Sequence, residues 1–195
     1  FPIPSMPIYF WDDADGQKYH DAYFDVFPGA WRHGDYIEIH SDTGGVTFYG
    51  RSDSILKPSG VRIGTSEIYA QVQKVDEVQD SLAVGQQYED DERVILFVQM
   101  KEGEVLTADV AKRIRAELRL NASPRHVPKL IMETKDIPKT LNGKIVEGAV
   151  TNILHRRKVT NRDALQNPEI LDFFESLLPL LEASEAETMA SELVF

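Results

Sequence analysis

The sequence predicts an α+β fold in which a small α+β domain follows a β-rich segment. Residues 36–50 contain two short alternating runs around a Gly-Gly turn, which is the pattern of a β-hairpin. From residue 51 onward the apolar spacing changes between strand and helix periods, in the order hairpin, helix, strand, strand, helix, strand, helix. We therefore expect a two-stranded hairpin and a three-stranded sheet, flanked by helices.

The first 50 residues are predicted to form short strands and turns. The apolar run Ile8–Trp11 precedes the turn-forming sequence DDADG, and the runs Tyr36–His40 and Val46–Gly50 flank SDTGG. A few strands with exposed edges are rarely stable alone. We therefore expect this β-rich segment to complete a larger domain that precedes it.

Residues 51–100 are predicted to contain a second hairpin, a helix and two strands. Ile55–Leu56 and Val61–Ile63 flank the tight turn KPSG. A helix begins at Thr65 or Ser66, since apolar residues then follow at helical spacing. Residues 80–87 and 92–100 are apolar runs of strand length, and the second is apolar enough to be buried on both faces.

The remaining chain is predicted to form a helix, a strand, a helix, a polar linker and a C-terminal helix. The helix that begins at residues 106–109 places Val110, Ile114 and Leu118 on one face. Pro179 interrupts or ends the last, amphipathic helix. The strand is predicted at 129–137, the second helix at 144–154, the polar linker at 155–166 and the C-terminal helix at 167–183. The acidic end of the chain is expected to fray.

Composition and charge exclude several classes of function. The net charge of −11 argues against general nucleic-acid binding, and the absence of cysteine excludes disulfides and a thiol nucleophile. No run approaches the roughly 18 apolar residues of a membrane span. The N-terminal residues lack the pattern of a signal peptide, so we expect a cytoplasmic protein that binds neither nucleic acid nor membrane.

Basic residues are concentrated in residues 111–129. Six basic residues lie there with one acidic residue, Glu117, which gives a net charge of +5. After Arg162, by contrast, every charged residue is acidic. Such an island on an acidic chain favours a small anionic ligand, and the alternative is a solvated helix face. The six are Lys112, Arg113, Arg115, Arg119, Arg125 and Lys129.

Two motifs carry carboxylates and arginines next to glycines. In HGDY, Asp35 either accepts hydrogen bonds from a vicinal diol such as ribose or caps a turn. In GRSDSILKPSGVRIG, Arg51 offers a planar fork for a hydroxyl or phosphate, and Asp53 lies where the chain leaves one sheet for another. Gly60 and Gly64 permit backbone conformations that are unfavourable for other residues. The alternative is that this motif is only a linker hairpin whose charges face solvent.

The octet PKTLNGKI places a lysine immediately after a turn. Asn142-Gly143 supports a left-handed turn, and Lys144 follows at the predicted start of a helix. A lysine near the positive end of a helix dipole is disfavoured by about 0.3–1 kcal/mol. Lys144 is therefore either a solvated surface lysine or a cation that must reach an anion. The five histidines show no close metal-ligand spacing, and no metal site is predicted.

In this order, the three motifs resemble the C-terminal part of the adenylate-forming acyl-CoA synthetase superfamily. The segments DERVILF, SPRHVPKLI and TLNGKIVEGAV are most similar to the branch of that superfamily that activates acetoacetate. The resemblance covers about residues 1–154. It implies an acid–thiol ligase that forms acetoacetyl-CoA from acetoacetate, ATP with Mg²⁺, and CoA through an acyl-adenylate.

The resemblance also implies roles for residues on the nucleotide side. Asp35 would bind the ribose hydroxyls of ATP or of the adenylate, and Arg51 would do likewise or approach the phosphate. Arg62 would contact phosphate in one of two domain arrangements. Lys144 would reach the α-phosphate and the substrate carboxylate during adenylation, and acylation of this lysine by an acyltransferase, reversed by a deacylase, would remove its charge.

A second set of implied roles concerns the domain movement and CoA. Asp53 would be the hinge about which a lid domain turns between the two half-reactions. Gly60 would lie near the pantetheine channel after the turn. Arg115, or in second place Arg119, would hold the CoA nucleotide's phosphate.

The implied organisation has three parts. Residues 1–51 would be the β-rich end of an N-terminal adenylating domain, 52–154 the mobile C-terminal domain and 155–195 a helical acidic tail. The chain departs from the superfamily at His33, where many members have Thr, and at Asn142, where many have Ser. It lacks the superfamily's phosphate-binding loop and carboxylate pocket, so it is expected to be inactive alone. Two alternatives remain open: the same chemistry on another short acid such as acetate, and a non-catalytic interaction module.

Overall fold

The computed structural model describes residues 5–160 and 162–182. These residues form two β-sheets and the α-helices that flank them. The chain divides into two compact units, Phe1–Asp35 and Tyr36–Phe195. In chain order the elements are α1 Gln17–Tyr23, β1 Asp35–Ile39, β2 Val46–Arg51, α2 Thr65–Val72, β3 Val78–Tyr88, β4 Asp91–Met100, α3 Ala108–Asn121, β5 Leu130–Thr134, α4 Glu147–Leu154, α5 Ile170–Ser176 and α6 Leu178–Glu182.

The first unit contains a helix that the sequence pattern had not predicted. The carboxylate of Asp13 accepts hydrogen bonds from the backbone N–H groups of Lys18 and Tyr19, so DDADG supplies the start of α1. Tyr19 and Tyr23 lie one helical turn apart and join an aromatic cluster in which Tyr23 stacks on Trp31 at 3.8 Å. The expectation of a strand at residues 8–11 was wrong, since these residues form turns and irregular chain.

Strands β1 and β2 form the predicted hairpin around the SDTGG turn. Alternate residues of a strand point to the same side, and one side of this hairpin carries Tyr36 against Tyr49 at 5.5 Å between ring centroids. The other side is apolar and exposed. Its residues are Ile37, Ile39, Val46 and Phe48, with relative exposures between 46% and 67%.

The second sheet has the strand order β3-β4-β5, and it confirms the predicted three-stranded sheet. Strands β3 and β4 are antiparallel, whereas β4 and β5 are parallel because α3 provides the crossover between them. Phe97 in the central strand pairs with Leu82 on one side and Met132 on the other, and it is fully buried. Within the described residues, no helix has both the length and the apolar composition to cross a membrane.

The segment after α4 joins the core at its C-terminal end. Leu165 forms an isolated antiparallel bridge with Thr140 and is buried, so the expectation of a polar linker over 155–166 was wrong at its C-terminal end. Phe174 packs edge-on against Phe97 with ring centroids 4.9 Å apart. The predicted interruption of the last helix near Pro179 is confirmed, as α5 ends at Ser176 and α6 begins at Leu178. Residues 183–195 of the predicted acidic tail lie outside the described residues.

Candidate functional site

Lys144 lies at the end of a tight hairpin that projects from the second unit. The base of this hairpin is closed by the bridge between Lys139 and Ile145 and by a hydrogen bond from the Val146 N–H to the Pro138 carbonyl. Residues 141–144 are all exposed. Among the described residues, the Lys144 ammonium group has no hydrogen-bond or ion-pair partner, so it is available to an anion from outside.

The turn itself requires a glycine immediately before the lysine. The Gly143 N–H donates to the Thr140 carbonyl at 2.7 Å, and the Thr140 N–H donates back to the Lys144 carbonyl at 2.8 Å. Gly143 has φ +77°, the left-handed conformation that follows a tight turn in a three-residue hairpin loop. A side chain at this position would strain the turn that sets the direction of Lys144.

The predicted helix start at Lys144 was wrong. Helix α4 begins at Glu147, with Val146 as the preceding residue. Lys144 is therefore outside the first turn, and the helix dipole does not act on it as the sequence argument assumed. The first turn instead carries the acidic residue Glu147, which is the charge that a helix N-terminus favours.

Arg51 and Asp53 form an exposed ion pair across the predicted hinge. The Nε and Nη2 atoms of Arg51 each lie 3.4 Å from one carboxylate oxygen of Asp53. The Ser54 N–H donates to the Arg51 carbonyl at 3.1 Å, which makes a turn directly after β2. The structure thus brings two predicted site residues together directly after β2.

Asp35 is paired with His33. His33 Nε2 lies 3.3 Å from Asp35 Oδ2, and Trp31 Nε1 donates to His33 Nδ1 at 3.3 Å. Gly34 between them has φ +83°. The Asp35 side chain is about one-quarter exposed, at 24%, so a carboxylate oriented by His33 remains accessible to a ligand.

A cleft of about 590 Å³ brings the two predicted CoA-side arginines together. Arg115 and Arg119 from α3 line it with Lys129 and the loop residue Ser59. Burial lowers the pKa of the half-buried Arg115 guanidinium, and no carboxylate within the described residues pairs with it. Arg119 is exposed in the last turn of α3, where the helix dipole stabilises a cation. Arg115 is therefore the stronger candidate for an anion.

The other basic residues of this helix have different surroundings. Arg113 forms a forked ion pair with Glu77 and lowers the pKa of that carboxyl. Lys112 is exposed. The basic island of the sequence therefore divides into residues on a solvated face, such as Lys112, and residues that line the cleft, such as Arg115. That these cleft residues bind an anion stays a prediction.

Gly60, Arg62 and Gly64 occupy the small hairpin that precedes α2. Ser59 and Gly60 both have positive φ, and the Ser59 N–H and hydroxyl donate to the Asp91 carboxylate at 2.8–3.0 Å. A hydrogen bond from the Glu92 N–H lowers the pKa of Asp91, and the two groups of Ser59 lower it further. The exposed Arg62 has no polar partner among the described residues and does not line the cleft. Of this hairpin, Pro58 and Ser59 line the cleft, whereas the predicted residues Gly60, Arg62 and Gly64 do not.

Gly64 was predicted for the wrong reason. Its φ of −78° is open to any residue. A Cβ at Gly64 would instead lie 2.2 Å from the Tyr49 carbonyl oxygen, because α2 begins in contact with β2. Close approach, rather than backbone conformation, requires the glycine.

Two residues that the sequence analysis missed support this site. Asp91 fixes the 58–60 turn at the cleft, and Asn167 contacts the base of the Lys144 hairpin. Both act across at least 28 positions of sequence, so no local pattern indicates them.

In the first unit, the exposed residues His20, Asp21 and Asp25 place ligand-type atoms within 4.8 Å of one another, but such exposed acidic groups are common without an ion.

Comparison with known proteins identifies the relatives of this chain. It is 52% identical over 175 residues to "Acetoacetyl-coenzyme A synthetase" of Rhizobium meliloti, covering 90% of this chain and 27% of that protein. It is 52% identical over 177 residues to "Acetoacetyl-CoA synthetase" of Mus musculus, covering 90% and 26%. The solved structure of "Acetoacetyl-CoA Synthetase from Streptomyces lividans" aligns with a TM-score of 0.82 at 42% identity, over 91% of this chain and 27% of that one. No protein-family model matches.

These matches confirm the resemblance that the motifs carried, and they confirm the α+β fold. The chain is a relative of acetoacetyl-CoA synthetases and corresponds to their C-terminal part. It spans about one-quarter of the length of the curated relatives it matches.

Proposed function

We propose that this chain is the C-terminal part of an ATP-dependent acid–CoA ligase that converts acetoacetate to acetoacetyl-CoA through an acyl-adenylate. The observation that carries the proposal is the Lys144 hairpin, in a chain that is half identical to acetoacetyl-CoA synthetases. Its base is held by hydrogen bonds, its tip is exposed, and its lysine is not neutralised by a described residue.

In the first half-reaction the acid's carboxylate attacks the α-phosphate of ATP bound with Mg²⁺, and pyrophosphate leaves. Two anions must approach each other, so a positioned cation stabilises the transition state by about 3–4 kcal/mol in a site shielded from water. Lys144 supplies that cation when the domain is closed. Asp35, oriented by His33, accepts hydrogen bonds from the ribose hydroxyls. Arg51 does likewise or approaches the phosphate.

In the second half-reaction the CoA thiol attacks the adenylate and releases AMP. The lid domain turns at Asp53, withdraws Lys144 and presents another face to the adenylate. The Arg51–Asp53 pair lies across this hinge and must change when the chain turns there. Gly60 then lies beside the pantetheine channel, while Arg62 contacts phosphate in the other arrangement.

The cleft beside Arg115 is the proposed site for the CoA nucleotide's phosphate. A half-buried guanidinium that lacks a carboxylate partner gains more from a phosphate than a solvated one, because the anion replaces solvation that burial has removed. Arg119 lines the same cleft in a more exposed position.

The exposed apolar side of the β1–β2 hairpin is the proposed contact with the N-terminal domain. Residues Ile37, Ile39, Val46 and Phe48 alternate along the two strands and share one side, so they present a continuous apolar surface to a sheet or helix. The N-terminal domain would supply the phosphate-binding loop and the carboxylate pocket that this chain lacks.

The test uses the full-length enzyme and measures its half-reactions separately. We expect Lys144→Ala to abolish acetoacetate-dependent exchange of pyrophosphate into ATP, while CoA-ester formation from pre-made acetoacetyl-adenylate continues. The matched control is Lys135→Ala, an exposed lysine on the loop after β5, which leaves both half-reactions unchanged. Equal loss of both half-reactions in Lys144→Ala would contradict the assignment.

Two parts of the proposal need their own measurements. We place the acid pocket in the N-terminal domain, so pyrophosphate exchange must be compared between acetoacetate and acetate. A preference for acetate would retain the chemistry and reject the named acid. Acylation of Lys144 removes its charge, so acylated full-length enzyme should lose exchange and a deacylase should restore it. Equal activity of the acylated and free forms would exclude control at this lysine.

A further inference from the structure

Asn167 joins the C-terminal segment to the base of the Lys144 hairpin through three side-chain hydrogen bonds. Its Oδ1 accepts from the Lys139 N–H at 3.1 Å, and its Nδ2 donates to Asp136 Oδ2 at 2.7 Å and to the Ile137 carbonyl at 2.9 Å. The residue is 8% exposed. Both amide hydrogens and the carbonyl oxygen are therefore used, in a place from which water is nearly excluded.

The backbone around Asn167 strengthens this connection. The Gln166 N–H donates to the Lys139 carbonyl at 2.8 Å, and Leu165 forms its bridge with Thr140. Residues 165–167 thus lie beside residues 136–140, joined by one isolated bridge and by these hydrogen bonds. The two segments are about 30 positions apart in sequence, as shown by the separation of 31 between Asp136 and Asn167.

A second contact fixes the same base from the sheet. Lys139 Nζ lies 2.7 Å from Asp80 Oδ2, and both side chains are about three-quarters buried. The base of the hairpin is therefore held on two sides, by β3 and by residues 165–167, whereas residues 141–144 at the tip are exposed. A fixed base with an exposed tip is the arrangement that directs a long flexible side chain without covering it.

We propose that Asn167 is a positioning residue for Lys144: its amide holds the base of the hairpin so that the lysine reaches the reacting phosphate. The proposal rests on the proposed function, in which Lys144 acts during adenylation. It gives residues 165–167 a part in the first half-reaction only, since Lys144 is withdrawn in the second.

The principal variant is Asn167→Asp in the full-length enzyme. It keeps the size of the side chain and the acceptor for the Lys139 N–H, but it places an oxygen against the Asp136 carboxylate and the Ile137 carbonyl. We expect kcat for pyrophosphate exchange to fall about 10–100-fold, with the KM values for ATP and acetoacetate within about twofold of wild type. CoA-ester formation from pre-made adenylate is expected to stay near the wild-type rate.

The matched control is Leu171→Ala, one turn further along the same segment. Leu171 is fully buried in the core and is not among the residues that bond to the hairpin base. This variant should lower the melting temperature at least as much as Asn167→Asp does, yet leave pyrophosphate exchange near the wild-type rate. If both variants lower the two half-reactions in parallel, Asn167 contributes only to stability and the inference fails.

A second readout follows the hairpin directly. Hydrogen–deuterium exchange of residues 138–146 in the full-length enzyme should be faster in Asn167→Asp than in wild type or Leu171→Ala, because the Thr140 and Gly143 N–H bonds open more often. An unchanged rate of hydrogen–deuterium exchange at residues 138–146 in Asn167→Asp would overturn the inference.

The two proposals fail in different ways. If Lys144→Ala leaves pyrophosphate exchange intact, the proposed function is refuted and the positioning role falls with it. If Lys144→Ala abolishes exchange while Asn167→Asp leaves it unchanged, only the inference about Asn167 is refuted.

Discussion

The contact between the start of α2 and β2 gives the sharpest stability prediction. A Cβ added to Gly64 would lie 2.2 Å from the Tyr49 carbonyl oxygen and 2.9 Å from the Tyr49 Cβ. Neither atom is the end of a flexible side chain, so the backbone of α2 or β2 must move. That movement would also disturb the hydrogen bond from the Ser66 hydroxyl to the Tyr49 carbonyl, which is 2.8 Å long.

The magnitude follows from these two contributions. Overpacking that forces a backbone shift costs about 1–3 kcal/mol. Loss of a hydrogen bond such as that of Ser66 adds about 1 kcal/mol. We therefore expect Gly64→Ala to lower the free energy of unfolding by about 2–4 kcal/mol.

Two other glycines provide matched controls for this substitution. Gly60→Ala meets open space but has φ +76°, so it should destabilise the chain by about 1–2 kcal/mol. Gly148 lies exposed in α4 with nothing within 4 Å of an added Cβ, so Gly148→Ala should stabilise by about 0.5–1 kcal/mol. The predicted order of stability is Gly148→Ala, wild type, Gly60→Ala and then Gly64→Ala.

The assay is urea unfolding of the 195-residue chain followed by far-ultraviolet circular dichroism. Tryptophan fluorescence is unsuitable, since both tryptophans, Trp11 and Trp31, lie in the first unit while α2 belongs to the second. If Gly64→Ala is at least as stable as Gly60→Ala, close approach to β2 does not require the glycine and the reasoning is refuted.

Three further outcomes concern pH, the hinge and CoA. Burial, with Glu147 beside the hydroxyl, raises the pKa of Tyr69 well above 10, so the folded chain keeps this proton where the unfolded chain loses it. Stability should therefore fall as the pH rises above about 10, and Tyr69→Phe should make that fall shallower in urea titrations; an unchanged slope would contradict this. The bond from Ser66 to β2 spans the proposed hinge, so Ser66→Ala should shift the two half-reaction rates of the full-length enzyme in opposite directions; parallel changes would argue against a turn at Asp53. Arg115→Ala should raise the KM for CoA about 10–100-fold without altering pyrophosphate exchange, and Arg119→Ala should raise it less; the reverse order would exchange their roles.

The sequence by itself determined the class of the fold and the order of its elements. Alternation marked the β1–β2 hairpin, helical spacing marked the buried face of α3, and a nearly unbroken apolar run marked the central strand β4. These signals succeed because strand and helix periods repeat over a few residues, so burial on one face is written into neighbouring positions. The same is true of the turn before Lys144, where Gly143 acts within its own hairpin.

Local patterns failed where a distant contact determined the outcome. Residues 155–166 are polar enough to resemble a linker, yet Leu165 is buried against residues that precede it by about 25 positions. Lys144 resembles a helix start, but the pairing of residues 139 and 145 extends the hairpin and delays α4 until Glu147. In the first unit, the turn sequence DDADG was recognised, whereas its role as the cap of α1 was not.

The position of the candidate cations was decided only by the tertiary structure. Arg113, Arg115 and Arg119 are similar in sequence terms, but one pairs with Glu77, one is half-buried in a cleft and one is exposed at a helix end. Likewise, nothing near Asn167 in the sequence indicates that its amide meets Asp136 and Lys139. Hydrogen bonds and charge pairs depend on which groups meet in space over a few ångströms, and folding brings together groups that the chain order keeps apart.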